Sequence, residues 1–81
     1  MEKDKNAIAE EVVDEIANTL DIDKSKLALD KTLKEDLNIT SAQKMVITGI
    51  MEDMTGKTVT YGKMNKCKTI GDIVDFVVKN S

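Results

Sequence analysis

The sequence predicts an all-α fold: a small four-helix bundle of three main helices and one short one. The chain has 81 residues with no proline and 2% aromatic residues, and its 41% hydrophobic content is drawn mainly from Val, Ile, Leu, Met and Ala. That composition favours helices packed on one another over a sheet sandwich. Apolar residues also recur at helical spacing in three separate stretches, the mark of amphipathic helices. A chain this short buries only about 60 to 65% of the surface its unfolded form exposes, so residues 1–81 are expected to form one domain around one modest core.

The first helix is expected from Lys5 to Leu20. Ile8, Val12, Ile16 and Leu20 recur every fourth residue, Ala9, Val13 and Ala17 widen the stripe, and Glu10, Glu11, Asp14 and Glu15 lie opposite. The Asn18-Thr19 pair reads as a fraying end. Residues 21–40 alternate charges with single apolar residues, Ile22, Leu27, Leu29, Leu33, Leu37 and Ile39, at spacings that fit no sustained period. They read as a long loop pinned to the core by those anchors, and a ~20-residue connection normally means function or a concealed element. Its start, Asp21-Ile-Asp23-Lys-Ser25, resembles the opening of a calcium loop, but Lys26 stands where the sharp turn needs glycine and Thr32 where the bidentate glutamate belongs. Local turn and capping chemistry is expected there, with no metal site.

A second helix is expected from about Ser41 to Met54, with Met45, Ile47, Ile50, Met51 and Met54 as its stripe and Thr55-Gly56 as its stop. Thr40-Ser-Ala-Gln43 fits a capping box, in which the Thr40 hydroxyl accepts from the Gln43 N–H and the Gln43 side chain reaches back. Ser41 is then the first helical residue and not the cap. The methionines at 45, 51, 54 and 64 read as adaptable core. Between Thr58 and Cys67, the residues Val59, Met64 and Cys67 anchor one short turn of helix, Cys67 as buried core and not as a reactive thiol. Thr69-Ile-Gly-Asp72 is the acidic relative of a capping box, and Ile70, Ile73, Val74 and Val77 follow at helical spacing, flanked by Phe76. The β-branched run would suit a strand but does not alternate with polar residues, so a helix is expected. Tyr61 receives no role.

Charge and absences bound the function. Fifteen acids against 12 lysines give a net −3, which argues against nucleic acid as the main partner. Residues 1–56 hold 13 acids and 7 lysines, a net of −6, while residues 57–81 hold 2 acids and 5 lysines, a net of +3. Lys57, Lys63, Lys66 and Lys68 lack aromatic interleaving and read as a solvated face. One cysteine excludes an intramolecular disulfide, no apolar run approaches the ~18 residues of a membrane span, and the first residues lack the apolar core of a signal peptide. A cytoplasmic, monomeric protein without membrane insertion is expected. The chain has no histidine, which removes the commonest general base and, with a single cysteine, the usual zinc ligand sets. A self-contained enzyme is not expected, and no catalytic residue is assigned.

The segment Leu33-Lys-Glu-Asp36-Leu37-Asn-Ile-Thr40-Ser41-Ala42 resembles the Phe-x-x-Asp-Leu-Gly-x-Asp-Ser-Leu of the acyl carrier proteins, and the likeness continues through Met51-Glu-Asp, Val59, Thr69-Ile70 and Val74-Asp-Phe-Val77. The resemblance implies that Ser41 carries 4′-phosphopantetheine, attached by a phosphopantetheinyl transferase from coenzyme A, with Thr40 and Gln43 capping the helix beneath it. The chain would then shuttle acyl groups as thioesters among acyl-loading and acyl-transferring enzymes of fatty-acid, polyketide or related biosynthesis. Here Thr40 replaces the family's Asp, Ala42 its Leu and Asn38 its Gly. Of the positions that in the family present acids to partner enzymes, here Gln43, Val46, Gly49, Glu52 and Asp53, only the last two are acidic. Lys44, Val46, Glu52 and Asp53 are the candidate docking surface, and dedicated enzymes are expected in place of generic fatty-acid ones. The alternative is a carrier-like interaction module that is never modified.

Overall fold

The computed structural model describes residues 4–80, and among them four α-helices follow one another, with a long loop after the first. Helix α1 spans Lys5–Leu20, and the Asp4 carboxylate caps it by accepting the Ala7 N–H at 2.7 Å. It buries Ile8, Val12, Val13 and Ile16, the stripe the spacing predicts. Asn18 and Thr19 do not fray. The helix continues to Leu20 because Asp21 turns into the left-handed region (φ 55°) and both its N–H and that of Ile22 close on the Ala17 carbonyl.

Helix α2 spans Ser41–Thr55 and ends on Gly56 at φ 69°, a left-handed cap that glycine adopts without a Cβ clash. Helix α3 is Tyr61–Asn65 and helix α4 is Ile70–Asn80. Helices α1, α2 and α4 pack on one another in all three pairings. Met51 and Met64 are buried in the shared core and Met54 lies at its edge, but Met45 is 70% exposed and does not belong to the stripe. The inward face of α2 is set by Ile47, Ile50 and Met51. Position 45 lies two residues before Ile47, about 200° around the helix at 3.6 residues per turn, and so points away.

The loop expected over 21–40 contains an element that its sequence does not announce, a 3-10 turn at Lys24–Lys26. Three residues are too few for a periodic signal. Asp23 caps this turn, its Oδ1 accepting the Ser25 N–H at 3.0 Å and the Ser25 hydroxyl at 2.9 Å. The Ser25 backbone N–H, with the hydroxyl, holds the Asp23 carboxyl below the usual range. The expected capping role of these residues is thus observed. Lys24 Nζ reaches Asp14 at 2.8 Å and ties the turn to α1.

Five of the six apolar anchors pack as expected: Leu27, Leu33 and Ile39 are buried, and Ile22 and Leu37 lie partly buried against them. Leu29 is not an anchor, because its side chain is 50% exposed. Its backbone carbonyl holds instead, accepting the Gly71 N–H at 2.8 Å, while the Lys31 carbonyl accepts Ile70 N–H at 3.1 Å. Leu33 N–H returns the contact to the Lys68 carbonyl at 2.9 Å, beside an antiparallel bridge between Thr32 and Thr69. The first N–H groups of a helix have no acceptor within it; in α4 those of Ile70 and Gly71 are satisfied by the loop. Thr69 and Asp72 complete the cap, Asp72 N–H donating to Thr69 Oγ1 at 3.1 Å and Thr69 N–H to Asp72 Oδ2 at 3.2 Å.

Val59, Met64 and Cys67 are buried around α3, as the spacing predicts. Burial and the nearby Asp72 carboxylate push the Cys67 thiol up. Phe76 packs at the core's edge, and Tyr61 is 65% exposed. Among the described residues no helix is long and apolar enough to cross a membrane.

Candidate functional site

The loop delivers the chain to α2 through a clasp closed by local chemistry. Asp36 Oδ2 accepts the Thr32 N–H at 2.9 Å and its hydroxyl at 3.2 Å, while Thr32 Oγ1 accepts the Asp36 N–H at 3.0 Å. The Thr32 N–H is the main reason that the Asp36 carboxyl lies below its usual range, helped by the hydroxyl and by Lys31. Leu37 N–H closes on the Thr32 carbonyl at 3.1 Å and Ile39 N–H on the Leu33 carbonyl at 2.7 Å. Between them Asn38 sits at φ 53°, a left-handed conformation that asparagine tolerates better than most side chains. The turn drops Ile39 into the core and leaves Thr40 and Ser41 outside.

Thr40 is the cap of α2, and its polar groups are all engaged. Its Oγ1 accepts the Gln43 N–H at 3.1 Å, its N–H donates to Gln43 Oε1 at 2.9 Å, and its carbonyl accepts the Lys44 N–H at 2.9 Å. Ser41, the first helical residue, is exposed and takes no part in this box. Its hydroxyl has no hydrogen-bond partner among the described residues, and neither has its N–H or that of Ala42. The result is one outward hydroxyl beside unpaired N–H groups at the positive end of a 15-residue helix, a donor set suited to a phosphate ester.

The other candidate residues divide. Val46 is 40% exposed and Asp53 is exposed, whereas Lys44 is half-buried. Glu52 is also half-buried, and its Oε2 accepts the Val59 N–H at 2.8 Å, so one of its oxygens holds the segment before α3. That bond spans seven residues, from α2 to the segment after it, and no local pattern announces it. Met45 joins Val46 on the outward side of α2, with Ala42 exposed nearby and Gly49 having no atom beyond the adjoining helix backbone and chain neighbours within 4 Å of the place a Cβ would take. The sequence reading missed Met45 as surface; the signal was its angular offset from Ile47 and Ile50. Among the described residues, no cluster of three metal-ligating side chains occurs.

A family model described as the phosphopantetheine attachment site matches residues 10–77 of this chain. The acyl carrier protein of Tropheryma whipplei (strain Twist) is 36% identical over 77 residues, which cover 95% of this chain and 89% of that protein. The acyl carrier protein of Exiguobacterium sibiricum is 32% identical over 73 residues, covering 90% of this chain and 92% of the other. Among solved structures, the acyl carrier protein from Enterococcus faecalis aligns with a TM-score of 0.76 at 28% identity, over 98% of this chain and 100% of that one. The likeness therefore runs from α1 to α4 and takes in the whole junction around Ser41.

Proposed function

Because this chain belongs to the phosphopantetheine-attachment family of acyl carrier proteins, we propose that it carries acyl intermediates on a prosthetic arm joined to Ser41. It is a carrier and not an enzyme, and its cofactor is covalently attached 4′-phosphopantetheine. When attached, that group supplies a terminal thiol on which acyl cargo travels as a thioester.

The contribution of the chain's own residues is presentation. Thr40 and Gln43 satisfy each other and hold the first turn of α2 in place, and Ser41 offers its hydroxyl to a phosphopantetheinyl transferase. The N–H groups of Ser41 and Ala42 would hold the phosphate of the arm, an interaction worth about 0.3 to 1 kcal/mol at an exposed helix start. The chain has no histidine, so we assign the base that takes the Ser41 proton to the transferase. The observation that carries this reading is a closed capping box from which the adjacent serine hydroxyl is left out.

Docking is assigned to the outward side of α2 with Lys44, Val46 and Asp53, and to the free oxygen of Glu52. This surface has few acids, which supports service to dedicated fatty-acid, polyketide or related enzymes over generic ones. We place the carrier in the cytoplasm as a monomer.

Intact mass spectrometry tests the reading. Incubation with coenzyme A and a panel of transferases is expected to add one phosphopantetheine, lost in Ser41→Ala with helical circular dichroism unchanged. Thr40→Asp is expected to widen the range of transferases that accept the chain, since Asp restores both a strong cap and a negative charge. No addition with any transferase, including one from the same organism, would favour an unmodified interaction module.

A further inference from the structure

A groove of about 450 Å³ lies along α3 and α4, and its lining includes no residue of α2 or of the loop before it. Its lining includes Cys67, which is buried, and Phe76, which is half-buried like Asp72 and Asn80 beside it. Its rim carries Lys63, Lys66 and Lys79, all exposed and without an ion pair among the described residues. Two carboxylates also face it, and both are engaged. Asp72 Oδ2 accepts the N–H groups of Lys68 and Thr69 at 2.8 and 3.2 Å, and Asp75 Oδ1 pairs with Lys5 Nζ at 3.3 Å. With Asp75 paired to Lys5, three lysines face one remaining carboxylate, so the balance of charge in this groove is positive on a chain whose net charge is −3.

We infer that the α3–α4 groove docks an acidic segment of a partner protein, whose carboxylates meet the three lysines while an apolar side chain seats on Cys67 and Phe76. Like charges gathered at one rim favour an anion there, and charge complementarity sets encounter and orientation. The apolar atoms lie below the charged rim, where a planar lipid surface does not reach and a side chain does. A second copy of this chain, whose α1 face is acidic although Asp14 there is paired with Lys24 at 2.8 Å, is an outcome that the titration of the protein's own concentration reads. The groove is independent of Ser41, so the unmodified full chain serves for the test.

The ¹⁵N-labelled protein is titrated with a short acetylated peptide in which glutamates flank one leucine. Parallel titrations use the same peptide with lysines in place of glutamates, phosphatidylglycerol–phosphatidylcholine vesicles, and the protein's own concentration. Saturable shifts centred on Lys63, Lys66, Phe76 and Lys79, diminished by salt, are expected from the glutamate peptide alone. The K63E/K66E/K79E variant is expected to bind it about tenfold more weakly or worse. If that variant loses its helical circular dichroism, K63Q/K66Q/K79Q decides instead, with weaker binding expected and unchanged binding overturning the inference. Absence of saturable shifts with the glutamate peptide, equal shifts with the lysine peptide, or a response of these residues only to vesicles or to self-concentration would also overturn it. The mass added at Ser41 is read separately, so this inference and the carrier reading can fail independently.

Discussion

At Gly71 an ideal Cβ would stand 3.0 Å from the backbone oxygen of Leu29, the same oxygen that accepts the Gly71 N–H. A methyl group there pushes the loop off α4 and stretches the bond that caps it. Gly71→Ala is therefore expected to destabilise by about 1 kcal/mol, overpacking outweighing the gain in helix propensity. At Gly49, inside α2, no atom beyond the adjoining helix backbone and chain neighbours lies within 4 Å of the Cβ position, and Gly49→Ala is expected to stabilise by about 0.5 to 1 kcal/mol. Thermal melts of the two variants check this pair, and shifts of the same sign would refute it. The contrast also marks what can be read locally. The Thr40–Gln43 box and the place of Ser41 just after its cap follow from four adjacent residues, whereas the Gly71–Leu29 and Glu52–Val59 bonds join segments that no local pattern brings together.

Among the elements, the stretch between α1 and α2 behaves as structure and not as slack. Leu33 is 2% exposed in it, and Leu33→Ala is expected to cost about 2 to 4 kcal/mol, as a core helix residue would. Leu29→Ala, at 50% exposure, is expected to stay within about 0.5 kcal/mol of the parent. Urea midpoints separate the two, and equal losses would show that the loop does not discriminate its anchors. The Thr32–Asp36 clasp adds a pH dependence. The folded Asp36 carboxyl lies below its ordinary value, so its contribution is complete above about pH 4, the unfolded carboxylate range, and is lost as pH falls through the folded value. Asp36→Asn is expected to lower stability at neutral pH and to converge with the parent in acid, which urea midpoints at neutral and at acidic pH would show. The helices were readable because a 3.6-residue period repeats over several turns. The loop's 3-10 turn was not, being shorter than one such repeat.

For the molecule as a whole, the distribution of charge matters more than its total. The outward face of α2 offers Met45 and Val46 close to Ser41 and places Asp53 farther along, and three lysines, Lys63, Lys66 and Lys79, gather instead around α3 and at the end of α4. Restoring acids by Gln43→Asp with Val46→Glu is expected to speed encounter with carrier-dependent enzymes whose docking patch is basic, severalfold at low salt and less as salt rises. Stopped-flow or loading assays at two ionic strengths measure it, and a salt-independent rate would count against it. The shorter Asp side chain at position 43 brings its carboxylate to the Thr40 N–H less well than Gln43 brings its amide oxygen, so the same variant reports on the cap through its melting temperature.

The backbone exchange between residues 29–33 and 68–71 has one more consequence, concerning synthesis. The segment leading to the proposed attachment serine is shaped against a partner that the ribosome makes about forty residues later. Until Lys68, Ile70 and Gly71 have emerged, the Leu33 N–H and the carbonyls of Leu29 and Lys31 have nothing to close on. The bonds that close the turn before Ser41 are local, but the loop behind that turn gains its hold on α4 only once residues 68–71 have been made.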